Sequence, residues 1–309
     1  MDYYVWELWL QQLNGKLMII VRVVGGLGNQ MFQYALGRAL AEVHDTELKL
    51  EISSFAAYPE RSYKLDAYSI NASIANIEEI DQIIFGTRRI SQNYLMRQLN
   101  KIIPINRKRI ITENSFGFNP KIFNVQNNTY LIGYWQSYKY FGKIVELIRQ
   151  ELTEKKDPKK EMIDWYQRLK QCNSVSIHIR RGDYVSNQKT NEFHGLCSID
   201  YYEKSIQYIA GKISSPRFYV FSDDILWARK NLRINYPIEY VSNITQGDEI
   251  SDLYLMKGCK HHIIANSSFS WWGAWLSNSP NQITIAPKKW FKSSNVSLND
   301  LIPGNWKCF

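Results

Sequence analysis

Few features of this chain point to a metal site, a disulfide framework or a membrane. The four cysteines are spread through the 309 residues, at Cys172, Cys197, Cys259 and Cys308. With no CxxC pair among them, neither a zinc site nor a disulfide framework is predicted, and a reducing compartment is expected. No apolar run reaches the length of a membrane span. The first residues carry Asp2 and Glu7 and no small-residue cleavage site, which argues against a signal peptide.

The usual glycine signatures of nucleotide-binding loops are also missing. The stretch GGLGNQMFQYALGRAL (25–40) follows an apolar run and predicts a turn that leads into a helix. A GxGxxG pattern that starts at Gly26 requires glycine at position 31, where the chain has Met31, so a nicotinamide-dependent oxidoreductase is disfavoured. Two interpretations stay open: the glycines permit a tight turn, or they let backbone N–H groups and Asn29 or Gln30 approach a ligand.

Positive charge is in excess but is not concentrated. The 38 lysine and arginine residues and 29 aspartate and glutamate residues give a formal net charge of +9. A nucleic-acid-binding protein usually gathers such an excess in one block or stripe, and this chain scatters it, so no nucleic-acid partner is predicted. An anionic small molecule such as a nucleotide accounts for a basic cleft equally well. The run KKDPKK (155–160) is expected to be a solvated loop or an interdomain linker.

From residue 174 onward, short apolar strands alternate with helical segments. Strands are predicted at 175–179, 217–221, 238–241, 262–265 and 283–286, and helices at 199–210, 224–231, 248–257 and 268–277. The first half begins in the same way, with strands predicted at 18–24, 47–52 and 130–134. Such alternation is typical of a parallel, doubly wound α/β sheet. We therefore predict an N-terminal extension at 1–17, a domain at 18–160 and a second domain at 161–309.

The segment SVSIHIRRGDYV (174–185) is a predicted strand that ends abruptly in charged residues. His178 falls on the face opposite to the alternating apolar residues, and Arg180 and Arg181 come where the strand ends. Two adjacent guanidinium groups at the end of a parallel strand suit a diphosphate, because their planar forks match phosphate oxygens. The alternative is a surface pair of arginines that bridges to Asp183.

Two further predicted strands also run into polar turns. In YVFSDD (219–224), Asp223 and Asp224 suit hydrogen bonds from a base or ribose, or a helix cap. In IIANSSFSWWGAWLS (263–277), Ser267 and Ser268 are natural helix caps that would also make an anion site. Because ligands of open parallel sheets bind at the carboxyl ends of the strands, these turns together predict a nucleotide-diphosphate site. Adjacent aspartates in place of a DxD motif indicate a site built without a metal.

The motifs GGLGNQMFQYA, HIRRGDYV, FSDD and NSSFSWWGAWL resemble those of the family 11 glycosyltransferases, the α-1,2-fucosyltransferases, of the bacterial type. The HxRRxD element is similar to one shared with α-1,6- and protein O-fucosyltransferases. This resemblance implies an α/β, GT-B-like fold with two Rossmann-type domains whose parallel sheets face an interdomain cleft. The N-terminal domain would lie on the acceptor side, and the C-terminal domain would bind GDP-β-L-fucose.

The resemblance also implies a reaction: inverting, metal-independent transfer of L-fucose from GDP-β-L-fucose to the 2-hydroxyl of a terminal β-galactoside. GDP-fucose would be a substrate, and no cofactor is expected. A bacterial, cytoplasmic enzyme of O-antigen or lipopolysaccharide biosynthesis is implied, with peripheral membrane association through a lipid-linked acceptor as an option. The alternatives are a fucosyltransferase of another linkage and a non-catalytic protein that binds GDP-sugars or glycans.

By position, the resemblance implies a donor site that consists of His178, Arg180, Arg181, Asp223, Asp224, Ser267, Ser268 and Ser270, with Gly28 and Asn29 from the first domain. Arg180 would bind the β-phosphate as the main catalytic residue, and Arg181 would lie beside the diphosphate. His178 and Asp223 would reach guanosine, and the serines would bind phosphate. Asn29 would face the sugar or the leaving group.

An inverting transfer needs only one base, to accept the proton of the acceptor hydroxyl, and a strongly dissociative transition state would need none. The sequence offers Asp183, His194 and Glu192 near the second motif. Asp183 has a structural alternative, in which it orients one of the arginines.

Overall fold

The computed structural model describes residues 17–57, 61–85, 104–186, 192, 195–292 and 298–309. The chain divides into two compact units. Unit 1 consists of the chain up to Gly25 together with Gln30–Lys64 and Ile70–Glu151, and unit 2 consists of Gly26–Asn29, Leu65–Ser69 and Leu152–Phe309. Each unit has its own parallel sheet, which confirms the predicted α/β class with two parallel sheets. The predicted domain boundary at 160 stays a prediction.

The described part of unit 1 contains a five-stranded sheet. Its strands are β1 (Met18–Arg22), β2 (Glu47–Glu51), β3 (Ser73–Ile74), β4 (Ile110–Thr112) and β5 (Thr129–Ile132). The order is β3-β2-β1-β5-β4, and every pairing is parallel. The apolar run that starts at Met18 forms the central strand, whose side chains are buried on both faces, as is usual for parallel sheets.

Four α-helices belong to this first half of the described chain. They are α1 (Leu27–His44), α2 (Ser54–Ala57), α3 (Ile77–Phe85) and α4 (Val145–Glu151). Helix α1 packs closely on the sheet at Gly37, where a Cβ atom would lie 2.5 Å from a methyl group of Val21. Its buried Arg38 and Tyr34 both donate to the carboxylate of Glu151 in α4, which fastens the two helices to each other.

Unit 2 contains a six-stranded sheet within the described residues. Its strands are β6 (Asn173–Ile179), β7 (Pro216–Ser222), β8 (Ile238–Tyr240), β9 (His261–Ile263), β10 (Thr284–Ala286) and β11 (Lys307–Cys308). The order is β11-β10-β9-β6-β7-β8, again parallel throughout. Strands β6 to β10 lie where the sequence predicts strands, with ends that differ by one or two residues.

The helices of unit 2 alternate with these strands. They are α5 (Lys160–Lys170), α6 (Gly182–Ser186), α7 (Ile199–Ala210), α8 (Ile225–Asn231), α9 (Glu249–Gly258) and α10 (Ser268–Leu276). Helix α7 has the predicted bounds because Ser198 caps its first turn and Gly211 follows its last residue. Within the described ranges, no helix is both long enough and apolar enough to cross a membrane.

Candidate active site

Three polar turns meet at one edge of the unit 2 sheet. Strand β6 lies between β9 and β7, and all three run in the same direction. Their carboxyl ends therefore bring together RRGD after β6, SDD after β7 and NSS after β9. The structure thus makes neighbours of motifs that the sequence places more than forty residues apart, at the edge where open parallel sheets bind ligands.

The first arginine of the pair is held by an aspartate of the next turn. The Nη1 atom of Arg180 lies 3.0 Å from Oδ2 of Asp223, and only about a fifth of the arginine side chain is exposed (21%). The other carboxylate oxygen of Asp223 accepts the backbone N–H of Arg181 at 2.8 Å. A Cβ atom at position 182 would lie 2.7 Å from Asp223 Oδ2, so Gly182 is required for this contact. Asp223 therefore fixes the turn and the guanidinium at once.

The second arginine is held by different partners. The Nε atom of Arg181 donates to Oδ2 of Asp224 at 3.2 Å, and its guanidinium lies 3.9 Å from the centroid of the Trp227 ring. Asp224 also caps α8, because its Oδ1 accepts the backbone N–H of Trp227. A cation over the face of tryptophan is stabilised by the ring quadrupole. The helix cap predicted at Asp224 is confirmed, and its contact with a ligand stays a prediction.

His178 is buried beside these arginines and has no charge at neutral pH. Burial, with a smaller contribution from Arg180, lowers the pKa of its imidazole from 6.5 to about 3. Its ring packs against Phe269 at 5.6 Å between centroids, and its Nδ1 has no hydrogen-bond partner among the described residues. His178 thus supplies a neutral polar atom, while its contact with guanosine stays a prediction.

The serines lie at the start of α10. Ser267 occupies the N-cap position, yet its hydroxyl makes no capping hydrogen bond. Ser270 is buried and donates to the carbonyl of Ser267 at 3.3 Å. Ser268 donates to Oδ1 of Asn29 at 2.7 Å, which joins two residues of the predicted donor site that are 239 positions apart. Phosphate binding by these hydroxyls stays a prediction.

Gly28 allows the glycine-rich turn to approach α10 very closely. A Cβ atom there would lie 2.4 Å from the backbone nitrogen of Phe269, and the Gly28 carbonyl accepts the indole N–H of Trp272 at 3.0 Å. Gln30 is buried in unit 1, where it donates to the carbonyls of Gly25 and Ser62. Gly28 is therefore required for close packing against α10, and Gln30 stabilises the local loop. The approach of this turn to a ligand stays a prediction.

Two aromatic side chains at this edge were not singled out by the sequence. Trp227 stacks under Arg181, and the ring of Tyr184 lies 5.8 Å from the Arg180 guanidinium while its hydroxyl donates to the carbonyl of Asn266. Tyr184 follows Arg180 by four residues, and that short spacing was the available local signal. Trp227 contacts Arg181 from 46 positions further along the chain, so no local signal in the sequence indicated that contact.

Two of the three candidates for the catalytic base have side chains outside the described residues. The side chain of Asp183 and the whole of His194 lie outside the described residues, and Glu192 is described as exposed. The part of the chain that the structure describes holds no group of three or more His, Cys, Asp or Glu side chains suited to a metal ion.

Comparison with known proteins places the chain in a family. The family described as Glycosyl transferase family 11 matches residues 2–308. The chain is 36% identical to an alpha-1,2-colitosyltransferase of Escherichia coli, covering 94% of this chain and 98% of that protein. It is 33% identical to the O-antigen biosynthesis glycosyltransferase WbnK of Escherichia coli, with 88% and 95% coverage. It is 26% identical to the galactoside 2-alpha-L-fucosyltransferase Sec1 of Mus musculus, with 84% and 64% coverage.

The match over nearly the whole chain and the 36% identity over 94% of it lead to one conclusion: the chain belongs to glycosyl transferase family 11 and is a glycosyltransferase.

Proposed function

We propose that this protein transfers L-fucose from GDP-β-L-fucose to the 2-hydroxyl of a terminal β-galactoside, with inversion and without a metal ion. The observation that carries the proposal is the pair of arginines after β6, each fixed by its own aspartate. Two relatives support the linkage, since an alpha-1,2-colitosyltransferase and a galactoside 2-alpha-L-fucosyltransferase are both named for position 2.

The reaction needs positive charge where the donor breaks apart. The bond between the fucosyl C1 and the phosphate oxygen breaks, the bond from the acceptor O2 to C1 forms, and the acceptor proton passes to a base. Negative charge develops on the departing GDP. A guanidinium that is already oriented stabilises this charge more in the transition state than in the ground state. We assign that role to Arg180 and the neighbouring contact to Arg181.

The aspartates receive a refined role in this proposal. Both carboxylates already accept hydrogen bonds from the arginine segment, Asp223 from the Arg180 side chain and the Arg181 backbone, and Asp224 from the Arg181 side chain. We therefore propose that they belong to the donor site chiefly as groups that orient the arginines. Contact with guanosine is left to the neutral imidazole of His178.

Neutral groups complete the proposed donor site. Ser267, Ser268 and Ser270 line the first turn of α10, and we propose that their hydroxyls and the N–H groups of that turn bind phosphate. The amide of Asn29 already bonds Ser268, so a ligand there would meet both side chains together. Asp183 and His194 remain the proposed candidates for the base.

The decisive experiment is product analysis. The purified protein is incubated with GDP-β-L-fucose and a panel of β-galactosides, and the product is examined by linkage analysis. We expect GDP release that depends on the acceptor, fucose on O2, and full activity in EDTA. Fucose on another hydroxyl would refute the linkage. GDP binding by calorimetry without any release would indicate a binding protein, and strict dependence on Mg²⁺ or Mn²⁺ would contradict the metal-free mechanism.

A second donor is favoured by one specific observation. The 36% identical relative is named a colitosyltransferase, and colitose is the sugar that lacks the 3-hydroxyl of fucose. A site that hydrogen-bonds this hydroxyl rejects the deoxy analogue strongly, whereas a site without such a bond does not. Comparing kcat/KM for GDP-fucose and GDP-colitose shows which of the two sugars is the preferred donor. We expect a higher value for GDP-fucose, and the reverse ranking would assign colitose.

We place this reaction in the assembly of a bacterial surface glycan in the cytoplasm, with the acceptor carried on a membrane lipid. The support is the name of the 33% identical relative, an O-antigen biosynthesis glycosyltransferase. Sedimentation with vesicles that contain a lipid-linked galactoside tests the association. We expect recovery with those vesicles and no recovery with vesicles that lack the glycan.

A further inference from the structure

The unit 1 sheet has its own cluster of turns at the carboxyl edge. Strand β5 lies between β1 and β4, and all three are parallel. Glu113 follows β4 directly, and the segment GYW (133–135) follows β5. In open parallel sheets this edge is where ligands bind. The donor site proposed above uses the corresponding edge of unit 2, so this second edge has no assigned role.

The backbone of this turn is strained at a bulky residue. Trp135 has φ = +56°, in the left-handed region. The other non-glycine residues with positive φ in the described chain are polar: Asp45, Asn128, Ser215, Gln246 and Asn281. Short polar side chains visit this region at little cost, whereas a bulky residue there is an outlier. Strain of this kind persists only where surrounding contacts impose it, and it concentrates at functional sites.

Contacts from three sides impose the strain. The carboxylate of Glu113 accepts the backbone N–H of Tyr134 at 2.7 Å and that of Trp135 at 3.1 Å. A Cβ atom at Gly133 would lie 2.5 Å from the Cβ of Glu113, so glycine is needed for this approach. The buried amide of Gln33 donates to the Gly133 carbonyl at 2.9 Å. These contacts together hold the turn in its strained conformation.

The strained turn sends two neighbouring aromatic rings in different directions. Trp135 is buried, with 3% of its surface exposed, and packs edge-on against Tyr140 at 6.0 Å. Tyr134 keeps 48% of its surface exposed, beside the Glu113 carboxylate that bonds its backbone. One ring anchors the turn in the interior, and the other is presented to solvent at the edge of the sheet.

We propose that Tyr134 is a stacking platform for the galactose ring of the acceptor, held in place by the strained turn and Glu113. The proposal rests on the proposed function, because the acceptor is the second substrate of that reaction. A β-galactoside presents an apolar face of C–H groups, which packs on an aromatic ring. The adjacent carboxylate suits the hydroxyl groups of a neutral sugar and disfavours a second diphosphate.

The test measures acceptor binding without catalysis. Methyl β-galactopyranoside is titrated into the full-length protein, saturated with GDP, and binding is followed by ligand-observed NMR. Three variants are compared with the wild type: Tyr134→Ala, Tyr134→Phe and Tyr236→Ala. Tyr236 is the matched control, a tyrosine of similar exposure (40%) in unit 2. We expect Tyr134→Ala to raise the Kd about tenfold, Tyr134→Phe to raise it less than about threefold, and Tyr236→Ala to leave it unchanged.

Two results would overturn the subsite: no binding of the galactoside to the wild type, or an unchanged Kd in Tyr134→Ala. Calorimetric Kd values for GDP should be the same in all four proteins, which shows that the fold and the donor site are intact. The transfer assay stands apart from this test. Absence of transfer with normal galactoside binding would refute the proposed function and leave the subsite standing.

Discussion

The carboxyl edges of the two sheets fix their side chains in different ways. In unit 2, aspartates bind arginine guanidinium groups, and the edge holds Arg180 and Arg181 in defined orientations. In unit 1, Glu113 binds backbone N–H groups instead, and the edge holds a strained turn with an exposed tyrosine. The same position in two parallel sheets thus presents two oriented arginines in one unit and an exposed tyrosine in the other.

This difference has a direct chemical meaning. Oriented guanidinium groups suit a ligand that carries or develops negative charge, as a nucleoside diphosphate does. An exposed aromatic ring beside a carboxylate suits a neutral ligand with hydroxyl groups and an apolar face. We have proposed the unit 2 edge for the nucleotide-sugar donor and the unit 1 edge for the neutral acceptor. The following substitutions test that division, from the largest expected effect to the smallest.

Removing the first guanidinium should have the largest effect on catalysis. Arg180→Ala deletes the guanidinium that we propose stabilises the leaving group, so we expect kcat/KM to fall by at least about 100-fold in a transfer assay. The matched control is Arg168→Ala, since Arg168 pairs with Glu239 at 3.1 Å elsewhere in unit 2. That variant should stay within about twofold of the wild type. A nearly normal rate in Arg180→Ala would refute the assignment.

The buried imidazole at the unit 2 edge should make stability depend on pH. The pKa of His178 is about 3 in the folded protein and 6.5 when unperturbed, so the unfolded chain binds more protons between these values. Stability therefore rises with pH across this window. We expect the free energy of unfolding to rise between pH 5 and pH 7 by about 2 kcal/mol less in His178→Gln than in the wild type. Urea unfolding at the two pH values measures this difference.

The measurement compares how the free energy of unfolding changes with pH in the wild type and in the variant. His262 is also buried with a pKa of about 3, so part of the pH dependence of stability remains in both proteins. Equal changes in the free energy of unfolding for the wild type and His178→Gln would show that the pKa of His178 in the folded protein is close to its unperturbed value of 6.5. That outcome would contradict an imidazole that burial keeps neutral below pH 6.5.

Weakening the contact that orients Arg180 should have a smaller effect on catalysis. Asp223→Asn keeps the shape and one acceptor oxygen but loses the charge that attracts the guanidinium. We expect kcat/KM to fall about tenfold, because hydrogen bonds between charged groups are the stronger ones. The thermal midpoint should change little, since this pair is partly exposed. A rate equal to that of the wild type would show that Asp223 does not position Arg180.

The corresponding carboxylate of unit 1 should behave in the opposite way. Glu113→Gln weakens two hydrogen bonds to backbone N–H groups, so we expect a loss of about 1 kcal/mol in the free energy of unfolding. The calorimetric Kd for GDP should be unchanged. Glu239→Gln, at a half-exposed ion pair, is the control and should leave stability unchanged. A weaker affinity for GDP in Glu113→Gln would contradict the division between the two edges.

Much of unit 2 follows from local patterns. The alternation in SVSIHI and the cap at Ser198 predict β6 and α7 closely, because burial and capping act over a few residues. Strands β3, β4 and β11 were not predicted. Each has two or three residues, lies at the edge of its sheet and pairs with one neighbouring strand. Such strands leave no hydrophobic period in the sequence.

The sequence also predicted only part of the candidate site. RRGD, SDD and NSS could be found after predicted strands, but the partner of each charge could not. The sequence offered Asp183 as a partner of the arginines, and the structure pairs them with Asp223 and Asp224 because β6 and β7 are adjacent. The Asp183 side chain lies outside the described residues. The strain at Trp135 leaves no local signal either, since it depends on Glu113, Gln33 and Gly133 together.

The sequence by itself determined the class of fold, the polar turns that follow the strands and the family to which the chain belongs. These features depend on residue order and on periods of a few positions. Tertiary structure alone decided that Asp223 orients Arg180, that Ser268 bonds Asn29, and that Tyr134 is exposed while Trp135 is buried. The physical reason is that these contacts join residues from different strands and turns, and strand order and register bring them together only in the folded chain.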